Sequence, residues 1–254
     1  MITIKTKKDI EILKEGGKIL AKVLKEVSKM VKPGACAKDL DDFAYKFIID
    51  HDSKPAFLNY SADFMDKPFP ATLCVSKNDI IVHGVPTKDL IFYEGDIVSI
   101  DCGLVYKNLY VDSAVTVAVG KIKPEHQKLM KVTKEALEKG IKMAKKNNAL
   151  GDIGHAIQSH IEKNGFSVIK ELIGHGVGYQ LHEEPEVYNF GIPNTGIKLQ
   201  PGYVLALEPM ATKTETTITQ TDDDEFKTAN DEYAAHFEHT IVVTEREPII
   251  ATIS

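Results

Sequence analysis

Apolar residues recur at three- and four-residue steps through Ile10, Leu13, Gly17, Leu20, Leu24 and Val27, the stripe of an amphipathic helix. Thr6 followed by Asp9 supplies a capping-box start, and Pro33-Gly34 supplies a stop. Leu40, Phe43, Ala44, Phe47 and Ile48 share one face of a second helix, which begins at about Asp39 and ends before the polar segment from His51 to Pro55. The texture then changes to short β-branched runs. Ile97-Val98-Ser99-Ile100 reads as a buried strand, Lys107-Asn108 as a turn and residues 110–117 as the returning strand.

This plan occurs twice. A shift of 113 residues lays Lys29-Met30 on Lys142-Met143, Asp39-Leu40 on Asp152-Ile153, Ala44 on Ile157 and Ile48 on Ile161. A shift of 107 lays Gly95, Ile97, Val98, Ser99, Ile100 and Asp101 on Gly202, Val204, Leu205, Ala206, Leu207 and Glu208. Two copies of helix, helix and strand predict a pseudo-symmetric α+β domain over residues 1–254, with halves of about 1–120 and 121–254. Its sheets join at the centre and its helices cover one face.

Composition narrows the partners. With 37 acidic against 31 basic residues and a net charge of −6, no basic surface is expected to draw nucleic acid. Arg246 is the single arginine, so the planar fork that grips phosphate is almost missing, and Trp is absent. No run approaches the roughly 20 apolar residues of a membrane span, and the first residues carry charges throughout, so a cytoplasmic location is expected. Cys36, Cys74 and Cys102 are an odd number at irregular spacing and read as reduced thiols.

Carboxylates stand where apolar side chains belong. Asp101 ends one buried run and Asp112 lies within the next. Their separation is odd, so a hairpin with an even-numbered loop puts both on one face, where they repel unless a proton, a base or a cation lies between them. The second half repeats the pattern, with Glu208 ending Val204 to Leu207 and Glu238 inside the run from His236 to Val243. With His175, flanked by Gly174 and Gly176, this is a mostly oxygen donor set with one imidazole, suited to two divalent ions sharing bridging carboxylates. Taken singly, each acid is better explained as an edge or bulge residue; pairing and repetition favour the metal centre. His83 and His182 are two further loop histidines, expected to line the cleft. His51, His126, His155 and His160, on or beside helical segments with no partner legible in the sequence, read as exposed loop histidines.

At these positions the chain resembles the methionine aminopeptidases, specifically the shorter type I form within the pita-bread peptidase family. The resemblance runs from Ile4-Lys5-Thr6 through Cys74, Ser76, Asn78 and His83-Gly84-Val85-Pro86 to Gly95-Asp96-Ile97-Val98 with Asp101 and Asp112. It continues through Gly174-His175-Gly176, His182-Glu183-Glu184-Pro185, Glu208-Pro209-Met210 and Phe237-Glu238-His239-Thr240. It implies the pita-bread fold and removal of the N-terminal methionine from newly made chains with small second residues. Asp101 would chelate one ion, His175 and Glu208 the other, and Asp112 and Glu238 would bridge the two. The metal would be Co, Mn, Fe or Zn. Glu208 would take up the proton of the attacking water, while His83 and His182 bind substrate and stabilise the tetrahedral intermediate. Tyr60, Phe69, Cys74 and Leu181 would line an apolar methionine slot. The implied partners are N-terminal Met peptides and nascent chains, with transient ribosome association, a monomeric state and no membrane.

Three departures from the family pattern bear on the pocket rim. Residues 61–68 form a longer segment than usual, Asp222-Asp223-Asp224-Glu225-Phe226 occupies the neighbourhood of a missing Trp, and His236 replaces a usual Gln. The acidic run reads as a solvated loop or, if it edges the cleft, as a bias towards basic peptides. The rival readings are an Xaa-Pro peptidase of the same fold, a non-catalytic pita-bread binding protein, and a dinuclear phosphoesterase, against which the scarcity of arginine tells.

Overall fold

A computed structural model describes residues 2–61, 67–215 and 217–253. The first half of the chain contributes α1 (Lys7–Met30), α2 (Ala37–Ile49), β1 (Lys54–Pro55), β2 (Leu73–Lys77), β3 (Ile80–Val82), β4 (Ile97–Tyr106) and β5 (Leu109–Ala118). The second contributes α3 (Pro124–Met143), α4 (Leu150–Lys163), β6 (Ser167–Val168), β7 (Gly174–Gly176), β8 (Glu183–Val187), β9 (Val204–Leu207), β10 (Met210–Thr212), β11 (Ile218–Gln220), β12 (Phe226–Thr228), β13 (Ala234–His236), β14 (His239–Val242) and β15 (Ile249–Ile250). The pairings are antiparallel throughout.

The repeat survives in three dimensions with the offsets read from the sequence. Helices α1 and α3 end at Met30 and Met143, and α2 and α4 begin at Ala37 and Leu150, both 113 residues apart. Strands β4 and β9 begin at Ile97 and Val204, each two residues after a glycine at positive φ, Gly95 at 103° and Gly202 at 93°. That backbone region costs a residue with a Cβ and is freely open to glycine. The second helix starts at Ala37, earlier than Asp39, which instead supplies the acid of its first turn.

Local chemistry explains the ends of α1. Thr6 Oγ1 accepts from the Asp9 amide at 3.2 Å and Asp9 Oδ2 accepts from the Thr6 amide at 2.9 Å, a closed capping box worth about 1 kcal/mol. The apolar stripe of α1 packs on β4 and β5 in a core that also takes Leu40, Ala44 and Ile48 from α2. A second core joins Leu129, Val132 and Ala136 of α3, and Ile153, Ile157 and Ile161 of α4, to Leu205 and Leu207 of β9. At Gly17 a Cβ would lie 2.0 Å from the Ala251 carbonyl, so only glycine lets α1 approach the C-terminal segment.

The two halves meet through backbone pairing between β5 and the start of β14. Glu238 N donates to the Ala114 carbonyl at 2.9 Å, and Thr240 Oγ1 accepts from Asp112 N and donates to Asp112 O, both at 2.8 Å. Thus the segments bearing Asp112 and Glu238 lie side by side across the pseudo-two-fold.

The continuous strand expected from His236 to Val243 is two strands, β13 and β14, broken at Phe237-Glu238. The break has a partner: Pro209, which has no N–H to give a ladder, separates β9 from β10, so the returning chain pairs first with β10 and then with β9. Among the described residues no helix is long and apolar enough to cross a membrane.

Candidate metal centre

Lys107 and Asn108, at φ 48° and 66°, make the two-residue turn of the β4–β5 hairpin. In its register Asp112 faces Gly103, and Asp101 faces Ala114, so the two acids are diagonal neighbours on one face, as the alternation required. Asp112 and Glu238 are buried, at 3% and 2% exposure, while Asp101 and Glu208 open on a cavity of about 860 Å³. Asp112, His175 and Glu238 each offer a donor atom within 4.8 Å of the others. His175 sits in the three-residue strand β7 opposite Ala206 of β9, two residues before Glu208. All five expected ligands line this cavity.

Electrostatics make this arrangement unstable without a counter-charge. Burial raises Asp101, Glu208 and Glu238 well above the usual carboxylate range, and the Asp112 charge beside them raises them further. Asp112 rises to about 7 through burial, opposed by its contact with Asp101 and by the Ser113 amide, which donates to Oδ1 at 3.0 Å. Among the described residues Asp101 Oδ1 and Glu238 Oε1 are buried without a hydrogen-bond partner, and no Lys or Arg among them lines the cavity.

The imidazole fits a metal in the same way. His175 Nδ1 lies 2.9 Å from the Gly176 carbonyl, which only accepts, so the ring proton sits there and Nε2 presents a lone pair. That lone pair stands 3.5 Å from Glu208 Oε1. Lone pair and carboxylate face each other favourably only across a proton or a cation. The donor set thus fits divalent metal, with one neutral nitrogen among hard oxygens.

The histidines that line the cavity are held neutral. Burial lowers His175 to about 3 and His83 to about 4, with His182 adding a smaller push in each case. His182, packed against His175 with ring centroids 4.4 Å apart, is lowered to about 4. Tyr60 OH lies 2.6 Å from His182 Nδ1, and burial raises the Tyr60 hydroxyl, which keeps its proton. His83 follows β3 at φ 61° and lies edge-on to Phe226, 5.4 Å between centroids.

Tyr60, Phe69, Cys74 and Leu181 fall in one apolar cluster with Ala56, Phe57 and Ala71. Cys74 pairs across the sheet with Asp101, which places the slot directly beside the acids. Phe57, T-shaped to Phe69 at 6.5 Å, also lines the cavity. Sequence reasoning passed over it, although Ala56-Phe57 is a short apolar pair beside Tyr60. The three cysteines are free thiols.

Several expectations need correction. The acidic run is only partly a solvated loop: Asp222 and Asp223 are exposed, but Glu225 is half-buried and accepts from the Val85 amide at 2.9 Å, and Phe226 lines the cavity. The cause is pairing of β12 with β3, which lays the β11–β12 hairpin over the cleft. Of the long segment 61–68, residues 62–66 lie outside the described residues. Of the histidines expected to be exposed, His155 is, whereas His51, His126 and His160 are partly buried: His160 Nε2 is 2.9 Å from Glu135 Oε2, His51 stacks on Phe47 at 4.1 Å and His126 lies over Tyr233.

Two contacts were not legible in the sequence. Lys5 Nζ meets Glu183 Oε2 at 2.6 Å in a buried pair, while Glu183 Oε1 accepts from the Tyr179 and Gln180 amides, so the N-terminal segment pins the loop that carries Leu181 and His182. His236 Nε2 approaches the second oxygen of Glu208 at 3.6 Å.

Comparison with known proteins follows the same lines. The model of metallopeptidase family M24 matches residues 11–245. A methionine aminopeptidase of Clostridium acetobutylicum is 41% identical over 254 residues, covering 100% of this chain and 99% of its own. Another, from Aquifex aeolicus, is 43% identical over 255 residues, covering 99% and 98%. The crystal structure of a Thermotoga maritima methionine aminopeptidase superposes with a TM-score of 0.95 at 42% identity, covering both chains completely. The prolidase of Pyrococcus horikoshii shares the fold at a TM-score of 0.75 and 20% identity, with 99% of this chain matching 63% of that one.

Proposed function

The chain belongs to metallopeptidase family M24, and from that premise we propose that it is a methionyl aminopeptidase, removing the N-terminal methionine from newly made chains with small second residues. The observation that carries this reading is the juxtaposition of five metal-type donors with an apolar slot formed by Tyr60, Phe69, Cys74 and Leu181. Its full-length relatives named methionine aminopeptidases support the substrate. We further take the two halves, about 1–120 and 121–254, as one catalytic domain, because the donors come from both.

In this reading Asp101, Asp112, His175, Glu208 and Glu238 would together hold two divalent ions, with Asp101 serving one and His175 and Glu208 the other. Such ions, when bound, supply a Lewis acid for the scissile carbonyl and a nucleophile usable at neutral pH. The protein's own groups do the rest. The slot takes the flexible thioether side chain and sets the first peptide bond beside the acids. Glu208 would take up the proton of the attacking water at its carboxylate and pass it to the departing amine. His83 and His182, neutral and flanking the cleft, offer N–H donors to the substrate and to the oxygen that gains charge.

A parallel assay of the metal-loaded protein on a Met-Ala peptide, an Ala-Pro peptide and a phosphodiester tests the proposal. Free methionine from the first alone is expected. Hydrolysis of Ala-Pro alone would transfer the chain to the Xaa-Pro reading, and no methionine release at all would end this one.

A further inference from the structure

His236 occupies an expensive position. It ends β13 at 1% exposure, paired with Met210, and its backbone is locked to β5 on both sides. Its N–H donates to Thr116 Oγ1 at 2.9 Å and its carbonyl accepts from the same hydroxyl at 2.7 Å, while Ser99 Oγ stands 2.9 Å from that oxygen. The imidazole therefore has no freedom to turn towards solvent. Its Nε2 is buried without a hydrogen-bond partner among the described residues. A leucine would fill this site without stranding a polar atom, so packing alone does not account for an imidazole here.

The group that faces the stranded nitrogen is Glu208. Its two oxygens are bracketed by two rings, His175 Nε2 at 3.5 Å from Oε1 and His236 Nε2 at 3.6 Å from Oε2. The rings differ in what fixes them: the Gly176 carbonyl beside Nδ1 makes His175 the lone-pair partner, whereas the contact of His236 Nε2 with Glu208 leaves that nitrogen open to carry the ring proton. A carboxylate that ligates a metal through one oxygen is oriented by a donor on the other.

We propose that His236 is a positioning residue for the metal centre, its Nε2–H directed at Glu208 Oε2 so that Oε1 is turned towards His175 and the ion they would share. This rests on the reading of Glu208 as a ligand, and goes beyond it by assigning a role to the next strand of the second half. The device needs a donor of imidazole reach, not a charge, so a side-chain amide should replace it and a hydrocarbon should not.

The test is titration of Mn²⁺ alone into chelator-treated protein by calorimetry, with thermal unfolding of the metal-free protein alongside. H236L is expected to weaken one metal equivalent roughly 10- to 100-fold, the scale on which outer-shell partners act, while the metal-free melting temperature holds or rises. H236Q should return affinity to within a few-fold of wild type. Unchanged affinity in H236L, or failure of H236Q to rescue, overturns the proposal. So does a lowered metal-free melting temperature with unchanged affinity, which is the behaviour of a packing residue. E208Q separates the premise: if it leaves metal stoichiometry intact, the ligand reading fails, and if it removes an equivalent while H236L does nothing, only the role of His236 fails.

Discussion

The two halves present their acids in different ways. In the first, β4 and β5 form an uninterrupted hairpin of two ten-residue strands, and Asp101 and Asp112 follow from simple alternation. In the second, the equivalent strand stops at Leu207, resumes at Met210, and returns through β13 and β14 with a break at Phe237-Glu238. Both breaks fall on a carboxylate that faces the cavity. The difference teaches that one half supplies a regular floor and the other is bent to bring groups in from the side. The chain between β10 and β13 forms the β11–β12 hairpin, which crosses to β3 of the first half and sets Phe226 against His83.

Removing a shared acid from either half is the strongest way to break this comparison. Asp112→Asn and Glu238→Gln should each cut turnover by about 10³-fold or more, the scale lost when a preorganised electrostatic group goes, with the circular dichroism spectrum retained. Metal analysis by mass spectrometry should show fewer equivalents per chain in both. Retained activity with full metal in one of them would mean that the halves do not share the centre.

A smaller loss is expected at the flanking histidines, one from each half. His83→Ala should lower kcat by about 10²-fold or somewhat more, with metal content unchanged. Loss of metal in that variant would move His83 from the substrate side to the ligand set.

The acids also set a pH dependence, and its sign can be worked out. Carboxyls raised in the folded state, Asp112 to about 7 and the other three well above their usual range, bind more protons folded than unfolded, so their contribution falls as pH rises from about 4 through the folded value. The buried histidines act oppositely, but only up to their unfolded value of 6.5. Above pH 6.5 the carboxyls stand alone, and each extra proton held by the fold is worth about 1.4 kcal/mol per pH unit. The metal-free protein should therefore melt lower at pH 7.5 than at 6.5, and the stabilisation by added Mn²⁺ should widen over that interval. A gap independent of pH would mean that the four carboxylates are relieved by something other than metal.

The least effect is expected at the hairpin turn. Asp222 and Asp223 are exposed, so their attraction for a basic peptide is screened within about 8–10 Å at ordinary salt. Met-Ala peptides differing only in downstream charge should differ by a factor of two or three in KM at low ionic strength, with the cationic peptide bound more tightly. Equal values would reduce the acidic run to solvation of the hairpin.

Legibility followed the same division. Asp101 and Asp112 could be placed on one face from their odd separation and a two-residue turn, because a strand's alternation is local. Glu208 was legible through its repeat partner Asp101, and Tyr60, Phe69, Cys74 and Leu181 through family resemblance. Glu238 could be singled out but not its strand break, since that depends on Pro209, which lies 29 residues earlier and pairs only in the folded sheet. Lys5 meeting Glu183, and Glu225 meeting Val85, join residues more than a hundred apart that no periodicity connects.

By itself, then, the sequence determined the twofold plan, the helices and the burial of four acids, because helical and strand periods are written in neighbouring residues. Tertiary structure alone decided which histidines face Glu208, which tautomer His175 adopts and what roofs the cleft. Those depend on angstrom-scale distances between segments brought together by the fold, and on how each stranded proton or lone pair finds a partner there.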